Sequence, residues 1–321
     1  MKKFLVISID VEPDCTPDWT YSDPLTFKGV SIGIKEKLQP VFNKYDITPT
    51  YLINNVVLEN EESTRVFLNL DGKYELGTHL HPEFIEPQKK HYEYQGKKGE
   101  ANSCFYDESV EFEKLKNITK LFYNNFGYQP QSFRAGRFSA GDNTIKSIKQ
   151  LGYKIDTSVT PNVYWNDSTR ERPVDFRNAS EQPYFVEESI REEAQGRSLL
   201  EVPVTIAHRR NSLKGIVKKI IKSPGRQAFY SPLWLRPVFS DNDDFKWLFE
   251  NFSDKYSDRP IVVYNLMFHN VEVMPGLSPY TKTEKDCSEY LQQLEWIFKY
   301  CSRNNIESCS LATLYDHFKA L

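Results

Sequence analysis

Short apolar runs alternate with longer stretches of helical period about eight times along this chain, and that alternation limits the folds open to it. The apolar runs FLVISID (4–10), TPTYLINN (48–55), YELGTHLH (74–81), QSFRAG (131–136), YKIDTSV (153–159), LLEVPVTI (199–206), RPIVVYNLMFH (259–269) and IESCSLA (306–312) read as strands. Between them, 31–45, 61–70, 107–127, 142–152, 241–256 and 284–304 carry helical spacing, with Pro40 predicting a kink or break in the first. Asp107 and Gly127 bracket one helix as start and stop. A strand–helix–strand repeat forces parallel strands covered by helices. At 321 residues the expected closure is a single α/β domain, a distorted parallel (β/α) barrel of about seven strands spanning 1–321. An open doubly wound sheet competes, but no glycine-rich phosphate loop supports it. Two polar, proline-bearing stretches, 83–106 and 160–258, read as insertions at the C-terminal face that build a substrate surface.

In such a barrel every strand C-terminus opens on one face. The polar residues at those ends are Asp10 and Glu12, His79 and His81, Arg134 and Arg137, Asp156, and His269. Within GTHLHPE (77–83), His79 and His81 are two apart, so an extended backbone points both imidazoles the same way. Two imidazoles with a carboxylate from Asp10, Glu12 or Asp14 make a three-ligand site for a divalent metal, with one position left open. The competing readings are plain: solvated loop histidines, a core histidine at 269, and an exposed arginine at 137. The same donor set also occurs in non-haem iron enzymes.

Composition narrows the partners. A net charge of −3 gives no basic excess, so no nucleic-acid partner is expected. The five cysteines form no CxxC and no even framework, which favours a reducing compartment. The apolar run from Phe4 to Ile9 is stopped by Asp10 and is too short for a secretory leader. No stretch approaches the ~20 apolar residues of a membrane span, and the expectation is a cytoplasmic protein. The run KGIVKKIIKSPGR (214–226) interleaves basic and apolar residues. It reads as a solvated helix, or as a helix making peripheral contact with an anionic membrane.

Taken in order, SIDVE, GTHLHPE, FRAGRFSAG, DTSV and MFHN resemble the five motifs of the polysaccharide deacetylases, esterases that remove N- or O-acyl groups from sugars. HLHPE, FRAGRFSAG and the late MPGLSPY resemble a bacterial branch linked to surface-glycan synthesis. The resemblance implies a distorted (β/α) barrel and one divalent metal, usually zinc. It implies metal ligation by Glu12, His79 and His81, with Asp10 as general base. Arg134 would orient that base, and His269 would be the general acid, paired with Asp156. Arg137 is the candidate substrate contact. The implied activity is removal of an N-acetyl or N-formyl group from an amino sugar or glycan intermediate in surface-polysaccharide biosynthesis. The alternatives are a non-sugar amide hydrolase on the same scaffold, a non-haem iron enzyme, or an inactive glycan-binding protein. The chain departs from the family pattern in four places. Val11 separates the first two acids, the histidine spacing is two rather than four, the aromatic usual in motif four is absent beside Asp156, and Asn270 follows the late histidine where an aspartate is common.

Overall fold

The computed structural model describes residues 1–90, 100–167, 170–210 and 230–321. Its strands are β1 Lys2–Val11, β2 Thr50–Asn54, β3 Glu75–Leu80, β4 Ser132–Ala135, β5 Ile155–Asp156, β6 Tyr164–Trp165, β7 Val174–Asp175, β8 Tyr184–Val186, β9 Leu199–Glu201, β10 Ile206–Arg210, β11 Tyr230–Trp234, β12 Ile261–His269 and β13 Glu307–Ser308. The main sheet runs β12-β1-β2-β3-β4-β5-β9-β8. All its pairs are parallel except β8–β9 at one edge. Seven parallel strands curl into the expected distorted (β/α) barrel. β1 and β12 sit where both faces are covered, so each is a near-continuous apolar run rather than an alternating one.

Side chains bridge the gap that the sheet leaves open. Gln182 pairs with the backbone of Val263 on β12, its Oε1 accepting at 2.8 Å and its Nε2 donating at 3.0 Å. Asn265 Nδ2 reaches across the interior to Thr157 Oγ1 and to the carbonyl of Val202. These bonds satisfy backbone groups that a closed ladder would have paired. The register then sets the face. Asp10 lies opposite His269, Asn54 opposite His79, His79 opposite Arg134, and Asp156 opposite Glu201.

Pro40 marks a junction between two helices rather than a gap in the chain. A ten-residue π-helix, Gly29–Leu38, runs directly into the α-helix Gln39–Lys44, with Pro40 in the first turn of the latter, where its missing N–H costs little. Asp14 fastens the start of the π-helix, its two oxygens accepting from the N–H groups of Gly29 and Lys28 at 2.7 and 2.8 Å. A side chain at 29 would approach Asn270 Nδ2 to 2.7 Å, so the helix closes on the barrel only with glycine there. The helix Glu108–Phe126 follows its predicted bounds and ends at Gly127, with φ 79°.

The second expected insertion proves to be mixed: within 160–258, β8 and β9 join the main sheet, while β6–β7 and β10–β11 form separate hairpins. The basic run 214–226 and His91 lie outside the described residues. No helix among the described residues is long and apolar enough to cross a membrane.

Candidate active site

The barrel's C-terminal face gathers Asp10, Glu12, His79, His81 and His269 around one point. On β1, Val11 turns into the core and is fully buried, which aims Asp10 and Glu12 together at the opening. Asp10 Oδ1 accepts from Arg134 Nη1 at 2.7 Å. Arg134 is itself buried and bonded to Ser8 Oγ at 2.6 Å, Thr157 O at 2.8 Å and Thr157 Oγ1 at 3.1 Å, so its guanidinium has one available pose. Burial opposes ionisation of Asp10, but Arg134, His79 and His269 outweigh it and hold the carboxyl below its usual range.

Glu12 Oε1 lies 3.2 Å from His79 Nε2 and 3.1 Å from His81 Nε2, and the two Nε2 atoms are 3.2 Å apart. The three donor atoms lie within 4.8 Å of one another on buried residues. His79 Nδ1 faces the carbonyl of Arg134 at 3.1 Å, and a carbonyl only accepts. Nδ1 therefore carries a proton, and Nε2 points to the centre, the orientation in which an imidazole ligates a metal. His81 Nδ1 faces Glu83 Oε1 at 3.7 Å. Burial opposes charge on His81, yet the carboxylates of Glu12 and Glu83 raise it to about 9. The residues thus fit a divalent ion on chemistry as well as position. Asp14 does not contribute to this set; it caps the π-helix instead.

Two further contacts pin Glu12. Tyr21 donates from its hydroxyl to Oε2 at 3.3 Å. The Asn270 amide grips the Glu12 backbone from both sides, Oδ1 accepting from N at 2.9 Å and Nδ2 donating to O at 3.1 Å. A carboxylate at 270 would lose the second bond, which gives the departure from the family pattern a physical use here.

His269 Nε2 points at the same centre, 3.8 Å from both Asp10 Oδ2 and Glu12 Oε1. Its partner is Glu272, not Asp156. Glu272 Oε1 lies 2.8 Å from His269 Nδ1 and also accepts the His269 backbone N–H at 3.0 Å. A short 3₁₀ turn, Asn270–Val273, brings the carboxylate back onto the ring. Glu272 is fully buried and bonded by Arg236 and by Tyr290, the latter at 2.9 Å. Burial would raise it, but Arg236 and His269 bring it down to about 2. Asp156 lies elsewhere on the face, accepting from Ser158 Oγ at 2.6 Å and paired with Glu201 across β5–β9. The expected Asp156–His269 pair is therefore corrected. The HNVE spacing (269–272) is the sequence signal that would have pointed to Glu272.

A cleft of about 480 Å³ surrounds this centre, walled by Trp19, Tyr21, Phe84, Phe138, Trp165 and Tyr280, with Arg137, Arg170 and Arg236 among them. Arg137 is placed beside His81, its Nη1 2.7 Å from Glu83 Oε1. Beyond the residues read from the sequence, the site thus recruits Tyr21, Glu83, Arg236, Asn270 and Glu272. Most lie on turns just past strand ends, where no periodicity marks them.

No protein-family model and no curated protein matches the sequence. The fold matches solved structures. One is a candidate polysaccharide deacetylase from Mycobacterium smegmatis, at 14% identity and TM-score 0.55, covering 100% of this chain and 92% of that one. PuuE allantoinase matches at 13% identity and TM-score 0.55, over 98% and 90%. A candidate glycoside hydrolase/deacetylase from Parabacteroides distasonis matches at 9% identity and TM-score 0.64, over 99% and 71%. The chain has the fold of the polysaccharide deacetylases, over its whole length.

Proposed function

We propose that the protein is a metal-dependent hydrolase that removes an N-acyl group, acetyl or formyl, from an amino sugar or glycan intermediate. The observation that carries the reading is the convergence of Glu12, His79 and His81 beside a base carboxylate and a histidine held by its own carboxylate. Glu12, His79 and His81 would hold the ion, with zinc the best match to two imidazoles and one carboxylate. Such an ion supplies Lewis acidity and a water acidified toward neutral pH.

The remaining roles belong to the chain's own residues. Asp10, kept ionised and aimed by Arg134, takes a proton from the attacking water. His269 delivers a proton to the departing nitrogen from Nε2, while Glu272 accepts from Nδ1–H and fixes the ring. An amine anion is a poor leaving group, so this acid matters more for an amide than for an activated ester. The aromatic walls suit the apolar face of a sugar ring. The surface-polysaccharide setting rests on the motif resemblance.

A second reading, a non-sugar amide substrate, has support from the allantoinase that shares this fold. Release of acetate or formate from N-acyl amino sugars, with ureides and simple amides assayed in parallel on metal-loaded protein, tests both. Turnover of amino sugars supports the proposal. Turnover confined to the ureides or simple amides transfers the machinery to the second reading.

A further inference from the structure

We propose that Arg137 anchors an anionic group, a carboxylate or a phosphate ester, carried by the sugar substrate; this rests on the amino-sugar reading above. Arg137 and Phe138 are consecutive non-glycine residues in the left-handed region, with φ 53° and 51°. L-residues avoid this region because Cβ crowds the following carbonyl. Two in succession persist only where neighbours over-determine them. Here Arg170 Nη2 donates to the Arg137 carbonyl at 2.6 Å, and Ser139 donates to the Gly136 carbonyl from both N and Oγ, at 3.1 and 2.7 Å. The strained turn throws Arg137 into the cleft next to His81.

The three arginines of the cleft differ in what they have left to give. Arg170 spends all three guanidinium nitrogens, on Asp167, Asn102 and the Arg137 carbonyl. Arg236 is buried and uses Nη2 on Glu272, 3.2 Å from His269 Nδ1; its Nε finds no acceptor among the described residues, but the guanidinium lies under the rings of Phe239 and Tyr280 at 4.8 and 5.2 Å, which leaves no open edge to the cleft. Arg137 makes its contacts through Nη1 alone among the described residues: Glu83 Oε1 at 2.7 Å, Ala101 O at 3.1 Å and His81 Nδ1 at 3.4 Å. Its side chain remains 33% exposed. The Nε–Nη2 edge is left for a ligand, and that edge is the fork that a carboxylate or phosphate fits with two parallel hydrogen bonds. Glu83 offsets the formal charge and locks the fork's direction, so the edge selects by geometry as much as by charge. An anionic group held there would place its sugar on the His81 side of the metal centre.

The test uses the metal-loaded protein and three sugars: N-acetylglucosamine, its 6-carboxylate and its 6-phosphate. The two anionic arms separate carboxylate from phosphate. We expect at least one anionic sugar to exceed the neutral one by roughly 10- to 100-fold in kcat/KM, mainly through KM, as a charge-assisted hydrogen-bonded pair supplies. High salt should shrink that ratio. Arg137→Gln should bring it close to one. Arg137→Lys, which keeps the charge but loses the fork, should leave only a small part of it. Equal use of all three sugars by the wild type, or a preference that survives Arg137→Gln, overturns the proposal. Should none of the sugars be hydrolysed, the amino-sugar reading fails on its own terms, and calorimetric binding of the same sugars decides the role of Arg137. Preferential binding of an anionic sugar that Arg137→Gln removes upholds the anchor; equal binding removes it.

Discussion

Two buried carboxylate pairs sit at strand ends on the same face, and they have opposite fates. Asp10 and Glu12 at the end of β1 meet Arg134, His79, His81 and His269. Burial works against ionisation of both, yet Arg134 and the facing imidazoles hold Asp10 low and Glu12 well below its usual range. Asp156 and Glu201, paired across β5 and β9, meet mainly each other. Burial raises both, and for Glu201 the neighbouring Asp156 charge adds to it. Asp156 Oδ2 and Glu201 Oε2 find no donor among the described residues. A proton shared between the two carboxyls satisfies both. Residue type and place in the fold are alike in the two pairs. What separates the two pairs is the set of basic side chains facing each.

The largest way to break this contrast is to neutralise one member of each pair. Asp10→Asn should lower kcat for deacylation by ~10²–10⁴. Asp156→Asn should cost less than about tenfold, because the amide can donate to Glu201 and touches no reacting group. Steady-state kinetics on one N-acyl sugar measures both, and equal losses would end the distinction.

His269 sharpens the same point. His269→Ala should lose ~10²–10⁴ in rate on an N-acyl sugar and clearly less on an activated ester, with metal content unchanged. Glu272→Gln should fall between that variant and wild type, since the ring keeps a neighbour but loses an accepting carboxylate. If Asp156→Asn impairs the amide reaction more than Glu272→Gln does, the reassigned partner is wrong.

How much of this was legible follows from what each residue's position depends on. The barrel follows from the alternation of apolar runs with helical stretches, and the H-x-H and D-x-E faces follow from the two-residue period of a strand; a sequence displays both directly. The pairing of Arg134 with Asp10 followed from motif order and is present at 2.7 Å. Glu272 is legible only through the HNVE spacing, because a 3₁₀ turn rather than a strand returns it to His269. Motif order points to Asp156, whereas this chain supplies the carboxylate from the turn that follows β12. The left-handed Arg137–Phe138 turn has no sequence signature, since neither residue is glycine.

A smaller effect concerns stability. Glu201 has a folded-state pKa well above its ordinary value of 4.5. Its protonated form therefore stabilises the fold fully below that ordinary value, and this contribution is lost as pH rises through the folded-state value. Glu201→Gln removes the need for the proton and keeps a donor for Asp156. It should stabilise the protein at pH 8 by ~1–3 kcal/mol, with the gain shrinking toward pH 4. Urea unfolding at both pH values measures this, and a gain that is equal at the two would show that Glu201 is not held protonated.

We assign the pair at the end of β1, with His79 and His81, to a metal centre. The metal content of the purified protein, measured by elemental analysis after reconstitution with zinc and removal of excess, tests this directly. We expect one tightly held divalent ion per chain in the wild type and in Asp156→Asn, and loss of that ion in the folded His79→Ala, His81→Ala double variant. Full retention of the ion in the double variant, or a wild type that takes up none, would contradict it.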